Sequence, residues 1–197
     1  MNIVVFGNGN AGVNLIQGIC RSFDCILIYV YMYGYPVNAK NVTNRRFSAE
    51  LDDEYCIVRE SNCDYVMVAG WHRKFSEKMV SQYECFNIHP SLLPKYRGVF
   101  PMEFQLRNKE KMSGVTIHKM NDRFDAGPIY VQQSFSIANV HSMAELIILA
   151  SRAARKAVQY FIEHYPDINP CVQDEKQASY YSMADKYLLE ENGLSYK

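Results

Sequence analysis

Asn2-Ile3-Val4-Val5-Phe6-Gly7-Asn8-Gly9-Asn10-Ala11-Gly12 opens the chain. Residues 2–6 read as a short apolar strand, and the glycines at 7, 9 and 12 spell GxGxxG directly after it. A glycine loop between a strand and a helix serves either as a tight turn or as a backbone cradle for a phosphate at the helix N-terminus. A dinucleotide site also needs an acidic residue at the end of the second strand, where it binds the ribose. Tyr31, Met32 and Tyr33 stand there, and Asp24 lies at the opposite end of that strand. Nicotinamide and flavin binding are therefore set aside, while the tight turn and a cradle for a substrate phosphate stay open.

Outward from this segment the chain alternates strands and helices. Residues 12–21 have a helical pattern with Val13, Ile16 and Ile19/Cys20 on one side, and 25–32 form a nearly continuous apolar run. Such runs suit parallel strands buried on both faces. Residues 33–53 are polar, contain Gly34 and Pro36, and read as a long surface loop with room for one short helix. Strands are expected at 65–69 and 85–88, with a short helix through Gln82 capped by Ser76 between them. A proline-punctuated loop over 89–101 precedes a helix at 102–107. Residues 114–120 and 129–137 are β-branched and alternating, separated by a turn-rich loop. The longest helical pattern spans 142–165, with Leu146, Leu149, Ala153, Ala157, Tyr160 and Phe161 as its apolar stripe and Pro166 as its stop. The fold class is α/β: a mostly parallel sheet with helices on both faces. Residues 1–170 are expected to form the catalytic domain, and 171–197 a tail packing on or near it.

Composition narrows the function. Apolar residues are 48% and charged residues 21%, an ordinary globular balance that excludes a disordered or low-complexity chain. Formal net charge is zero, whereas a protein that coats polyanions carries a basic surplus. No apolar run approaches 18 residues, and the N-terminus lacks the basic region of a signal peptide. The expectation is a cytoplasmic protein without membrane or nucleic-acid partners. Cys20, Cys25, Cys56, Cys63, Cys85 and Cys171 include no CxxC pair and no zinc-type spacing. They read as reduced thiols, and no metal is expected.

The densest polar constellation is Phe86-Asn87-Ile88-His89-Pro90-Ser91-Leu92-Leu93-Pro94-Lys95-Tyr96-Arg97-Gly98. Asn87 and His89 are two apart at a strand's end, so their side chains share a face. An amide donor beside an imidazole suits acyl transfer, one stabilising an oxyanion and the other moving a proton. Asp125, in a Gly/Pro turn between two strands, can orient an imidazole across a cleft. His118 alternates with Thr116 and Met120 and reads as structural.

Asn87-x-His89-Pro90-Ser91-Leu92-Leu93-Pro94, then Gly114-x-Thr116-x-His118-x-Met120, then Asp125-x-Gly127-x-Ile129 resembles the folate-dependent formyltransferase family. That family includes glycinamide ribonucleotide, methionyl-tRNA and nucleotide-sugar N-formyltransferases. The resemblance spans roughly residues 1–165 with the three motifs in family order. It implies a Rossmann-like domain, 10-formyltetrahydrofolate as formyl donor, and a catalytic trio at Asn87, His89 and Asp125. It further implies a folate site made by Trp71, His72, Arg73, Lys74 and Phe75 with Asn121, Asp122 and Asp125. Asn8, Asn10 and Arg97 are assigned to the acceptor.

Within the family, Tyr96-Arg97-Gly98-x-x-Pro101 looks like the tRNA and sugar branch, and the helix lacks the purine enzymes' Glu-His-x-x-Tyr-Pro pattern. The absence of a basic surplus, and an end at 197 before any RNA-binding domain, point away from tRNA. The leading expectation is a small acceptor, a nucleotide-linked amino sugar. Glycinamide ribonucleotide is the alternative, and a non-catalytic folate- or nucleotide-binding protein is the second alternative. A homodimer is left open. Arg152 to Lys156 read as a solvated helix face.

Overall fold

A computed structural model describes residues 1–22 and 25–191. Asp24 lies outside the described residues. The elements in chain order are β1 (Asn2–Gly7), α1 (Gly9–Ser22), β2 (Ile26–Tyr31), β3 (Val42–Arg46), α2 (Glu54–Ser61), β4 (Tyr65–Ala69), α3 (Glu77–Gln82), β5 (Cys85–His89), β6 (Arg97–Gly98), α4 (Pro101–Arg107), β7 (Met112–Lys119), β8 (Ile129–Ser136) and α5 (Met143–His164). A 3-10 turn (Glu175–Gln177), β9 (Tyr180–Tyr181) and α6 (Met183–Glu191) follow.

Seven strands form one sheet in the order β3-β2-β1-β4-β5-β7-β8. The first five in that order run parallel, and β7 and β8 are antiparallel to their neighbours. Successive β1 side chains enter opposite cores. Ile3 and Val5 join Ile16 and Ile19 of α1 and Ala153, Ala157 and Phe161 of α5. Val4 and Phe6 join Ile57 and Val58 of α2 and Met79 of α3. This two-sided burial is why the parallel strands read as unbroken apolar runs. Chain direction across the sheet reverses on either side of β1 and β4, so the carboxyl ends of these strands open a crevice at a topological switch point.

The glycine loop is a packing device. A Cβ on Gly7 would sit 2.5 Å from the Gly12 Cα, and one on Gly12 would sit 2.7 Å from the Tyr29 hydroxyl. The first turn of α1 thus rests directly on β1 and β2, and the helix begins at Gly9 instead of at 12. Of its apolar stripe, Ile16 and Ile19 are fully buried; the Cys20 side chain lies outside the described residues.

Residues 33–53 depart from the expected loop with a short helix: they contain the edge strand β3, paired in parallel with β2. Its Val-Thr-Asn-Arg-Arg sequence is mostly exposed, as a solvent-facing edge requires, and so carries no apolar pattern. Helix α2 has no counterpart in the sequence reading. The Asp53 side chain caps it by accepting the Cys56 N–H at 3.0 Å. Ser76 and Ser142 cap α3 and α5 as expected. The stripe on α5 differs in two places: Leu149 is half-buried, and Tyr160 is exposed and stacks on His164. Ala150, Ala153 and Ala157 provide the close approach of α5 to the sheet. Among the described residues no helix is long and apolar enough to cross a membrane.

Candidate active site

Strand β5 carries Asn87 and His89 to its carboxyl end, and the antiparallel register of β7 sets His118 opposite Asn87 and Thr116 opposite His89. The loop after β7 then turns Asp125 back over both. Asn87 Nδ2 donates to Asp125 Oδ1 at 3.0 Å. His89 Nδ1 lies 3.5 Å from Asp125 Oδ2, and His118 Nε2 lies 3.3 Å from Asp125 Oδ1 and 3.3 Å from Asn87 Nδ2. Four polar side chains therefore meet at one point. His118, expected to be structural, is one of them: antiparallel pairing brings it there, and strand alternation alone does not reveal pairing.

Hydrogen-bond partners set the imidazole roles. His89 Nε2 lies 2.7 Å from the Tyr96 carbonyl, which only accepts, so the ring proton sits on Nε2 and Nδ1 keeps its lone pair. His118 Nδ1 likewise donates to the Lys119 carbonyl at 3.0 Å, leaving Nε2 toward Asn87. Burial of His89 pushes its pKa below the ordinary 6.5, against the opposing pull of the Asp125 carboxylate. Burial pushes the Asp125 carboxyl up, but its attraction to the His89 and His118 rings when these are protonated, together with the Gly98 N–H at 2.8 Å, outweighs it and holds the group well below the usual carboxylate range. Near neutral pH the site thus holds a neutral imidazole beside a carboxylate.

The loop that follows β5 is fixed by buried hydroxyls and amides. Thr116 Oγ1 donates to the Ser91 carbonyl at 2.6 Å and accepts the Leu93 N–H at 3.2 Å. Ser91, fully buried, donates to the Lys95 carbonyl, and Gln105 Nε2 donates to the Pro90 and Pro101 carbonyls. Around it the backbone is left-handed at Tyr96, Gly98, Phe100 and Asp125. Non-glycine residues hold such angles only where their surroundings over-determine them, and they gather at functional sites.

The four side chains border a cavity of about 750 Å³. Its walls come from Gly70 to Phe75, from Phe100 to Met102, from one side of α5, and from Tyr180 and Met183. Its volume and its largely apolar walls with a few convergent polar groups are those of a small-molecule site. All five members of the 71–75 segment border it. Trp71 is half-buried, edge-on to Phe6 and Phe47, with its Nε1 donating to Glu54 at 3.3 Å. Arg73 pairs with the same carboxylate at 2.7 Å, and Phe75 is buried against Phe6. His72 and Lys74 are exposed at the rim. Asn121 borders the cavity, whereas Asp122 faces a separate small hollow beside Ser179. Asp122 is exposed and does not border the main cavity.

The residues assigned to the acceptor fall elsewhere. Asn8 is 8% exposed, and its side chain ties together the backbone that follows β2 and β4: Nδ2 donates to the Gly70 carbonyl, and Oδ1 accepts the N–H groups of Met32 and Tyr33. The Asn10 side chain lies outside the described residues. Arg97 does not border the main cavity; it is 6% exposed, and its guanidinium bonds to Gln173 and Glu175 of the tail. Conversely Arg155, read as part of a solvated helix face, borders the cavity. Gln173, Tyr180 and Met183 join the site or its support from a tail whose weak periodicity gave no signal.

A family model described as formyl transferase matches residues 34–164. The methionyl-tRNA formyltransferase of Thermotoga neapolitana is 36% identical over 157 residues, covering 78% of this chain and 48% of that protein. The chain thus spans about half the length of this curated relative. Among solved structures, glycinamide ribonucleotide transformylase 1 from Symbiobacterium toebii superposes with a TM-score of 0.73 at 18% identity, covering 88% of this chain and 94% of that one. The N-formyltransferase of Helicobacter canadensis, in complex with folinic acid and dTDP-3-aminofucose, gives 0.65 at 21% identity, covering 93% and 71%. At these identities the two structures show a shared fold.

Proposed function

The chain belongs to the formyl transferase family, and from that premise we propose that it transfers a formyl group from 10-formyltetrahydrofolate to the amine of a small acceptor. The observation that carries this reading is the meeting of Asn87, His89, His118 and Asp125 at the edge of one cavity of about 750 Å³. The amine nitrogen attacks the formyl carbon, a new C–N bond forms, and the C–N10 bond breaks to release tetrahydrofolate. His89 Nδ1, unprotonated and lined up with Asp125, takes the proton that the amine loses. Asp125 stabilises the imidazolium that results. Asn87 gives the developing oxyanion an amide N–H, exchanging one of its present partners, Asp125 or His118, for the substrate oxygen. His89 thus acts first as acceptor; as the imidazolium it offsets the charge of the oxyanion and then gives the proton to N10 as the C–N10 bond breaks, so that N10 leaves as a neutral amine. Trp71 and Phe75 supply apolar surface for the folate ring system, with His72 and Lys74 at the rim for its carboxylates.

For the acceptor, a nucleotide-linked amino sugar is the leading reading. It is supported by the zero formal net charge and by the cationic side chains Arg123 and Arg155 around the cavity, which suit a compact phosphorylated ligand. A second reading, methionyl-tRNA, is favoured by the Thermotoga neapolitana relative. Catalytic efficiency with one formyl donor against nucleotide-linked amino sugars, methionyl-tRNA and glycinamide ribonucleotide separates them. Preference for the sugars is expected. Preference for either other acceptor overturns the sugar while leaving the trio intact.

A further inference from the structure

We propose that Gln173 is a positioning residue for Asp125, clasping the Asp125 turn on one side and the Arg97–Gly98 segment that holds its carboxylate on the other. The inference rests on the formyl-transfer reading and deepens it.

Gln173 is 6% exposed and does not border the cavity, so it acts only through its neighbours. Its Nε2 donates to the Asp125 carbonyl at 2.8 Å and to the Gly127 carbonyl at 2.7 Å. Its Oε1 accepts from Arg97 Nε at 3.1 Å and Nη2 at 2.8 Å. Two donors and two lone pairs are all that a side-chain amide offers, and here each is engaged. Both groups it holds matter to Asp125. Asp125 has a φ of 52°, a left-handed angle that needs external support. Gly98, next to Arg97, donates its N–H to Asp125 Oδ2 at 2.8 Å. The turn has no slack, because a Cβ on Gly127 would collide with the Lys119 carbonyl. Gln173 itself is pinned from both sides. Cys171 and Ile129 exchange backbone hydrogen bonds at 2.8 Å, and Ser179 receives the Tyr96 N–H at 2.8 Å on its side chain. Glu175, half exposed, adds an outer contact to Arg97 at 2.9 Å.

The test compares wild-type full chain with Gln173→Ala, Gln173→Glu and the outer control Glu175→Gln. Gln173→Glu keeps an acceptor for Arg97 and loses the donors to the two carbonyls, so it separates holding the tail from holding Asp125. Readouts are kcat and donor KM in formyl transfer, and the NMR titration of the His89 imidazole. The groups facing that ring are Asp125 from the loop after β7, His118 from β7 and the Tyr96 carbonyl from the loop after β5. In both Gln173 variants kcat should fall roughly tenfold or more, since small misplacements of reacting groups are costly. Donor KM should stay within about twofold, and the His89 midpoint should move, downward in Gln173→Ala as the carboxylate recedes. Glu175→Gln should match wild type in kcat. A folded Gln173 variant with unchanged kcat and unchanged His89 midpoint overturns the proposal, and if Gln173→Ala fails to fold, Gln173→Glu decides. Should wild type transfer no formyl group to any acceptor, the functional reading fails and the imidazole titration alone decides: a displaced midpoint supports the clasp, an unmoved one refutes it.

Discussion

His89 has one free lone pair, on Nδ1, because its Nε2–H is committed to the Tyr96 carbonyl. Burial lowers its pKa from 6.5, so the ring is the competent base at neutral pH and loses that role as acid protonates it. The acid limb of kcat/KM for formyl transfer should therefore have its midpoint below 6.5, with a plateau above it; a rate that rises as pH falls through 6.5 contradicts the assignment. The meeting of Asn87, His89 and Asp125 was legible in the sequence, from a polar pair two apart at a strand's end and from the family resemblance, which adds Asp125. His118 was not, because its place depends on the strand register that sets it opposite Asn87. Gln173 was not either: it lies 48 residues from Asp125, and nothing local signals a contact at that separation. Asn8 and Arg97 do not reach the main cavity, and for a shared reason. Both are polar residues beside a site, and both are turned inward to hold loops together.

Elements were legible where burial imposes a period. Strands β1, β2, β4 and β5 are apolar because helices cover both faces of the sheet, and α5 shows its stripe and its Ser142 cap. β3 was hidden because a sheet edge has a solvent side, and its polar residues look like a loop. The glycine loop illustrates two readings of one motif: its geometry matches close packing of α1 on β1 and β2. Gly12→Ala would place a methyl 2.7 Å from the Tyr29 hydroxyl, which is buried without a partner among the described residues. Overpacking of this kind costs about 1–3 kcal/mol. For a chain of this size each kcal/mol lowers Tm by roughly 2–4 °C. A calorimetric Tm equal to wild type would show that the helix shifts freely and that the glycine has another purpose.

On the scale of the whole molecule, the cavity is assembled from segments far apart in the chain: the end of β4, the end of β5, the loop after β7, one side of α5 and the tail at Tyr180 and Met183. Each segment contributes lining side chains, and only the first three announce themselves in sequence. Zero net charge was legible as a total, whereas the placement of Lys74, Arg123 and Arg155 around one opening was not, because composition holds no positions. The central claim is that this assembly transfers formyl groups from a reduced folate through His89. The most direct test is to incubate wild type and His89→Ala side by side with 10-formyltetrahydrofolate and the acceptor panel, and to quantify formylated amine by mass spectrometry. Quenching of the sole tryptophan, Trp71, by folinic acid reports donor binding in both proteins. The account predicts formylated product from wild type, a rate lower by about 10²-fold or more in His89→Ala, and equal quenching in the two. Near wild-type turnover by His89→Ala, or no product from wild type with any acceptor, would contradict it.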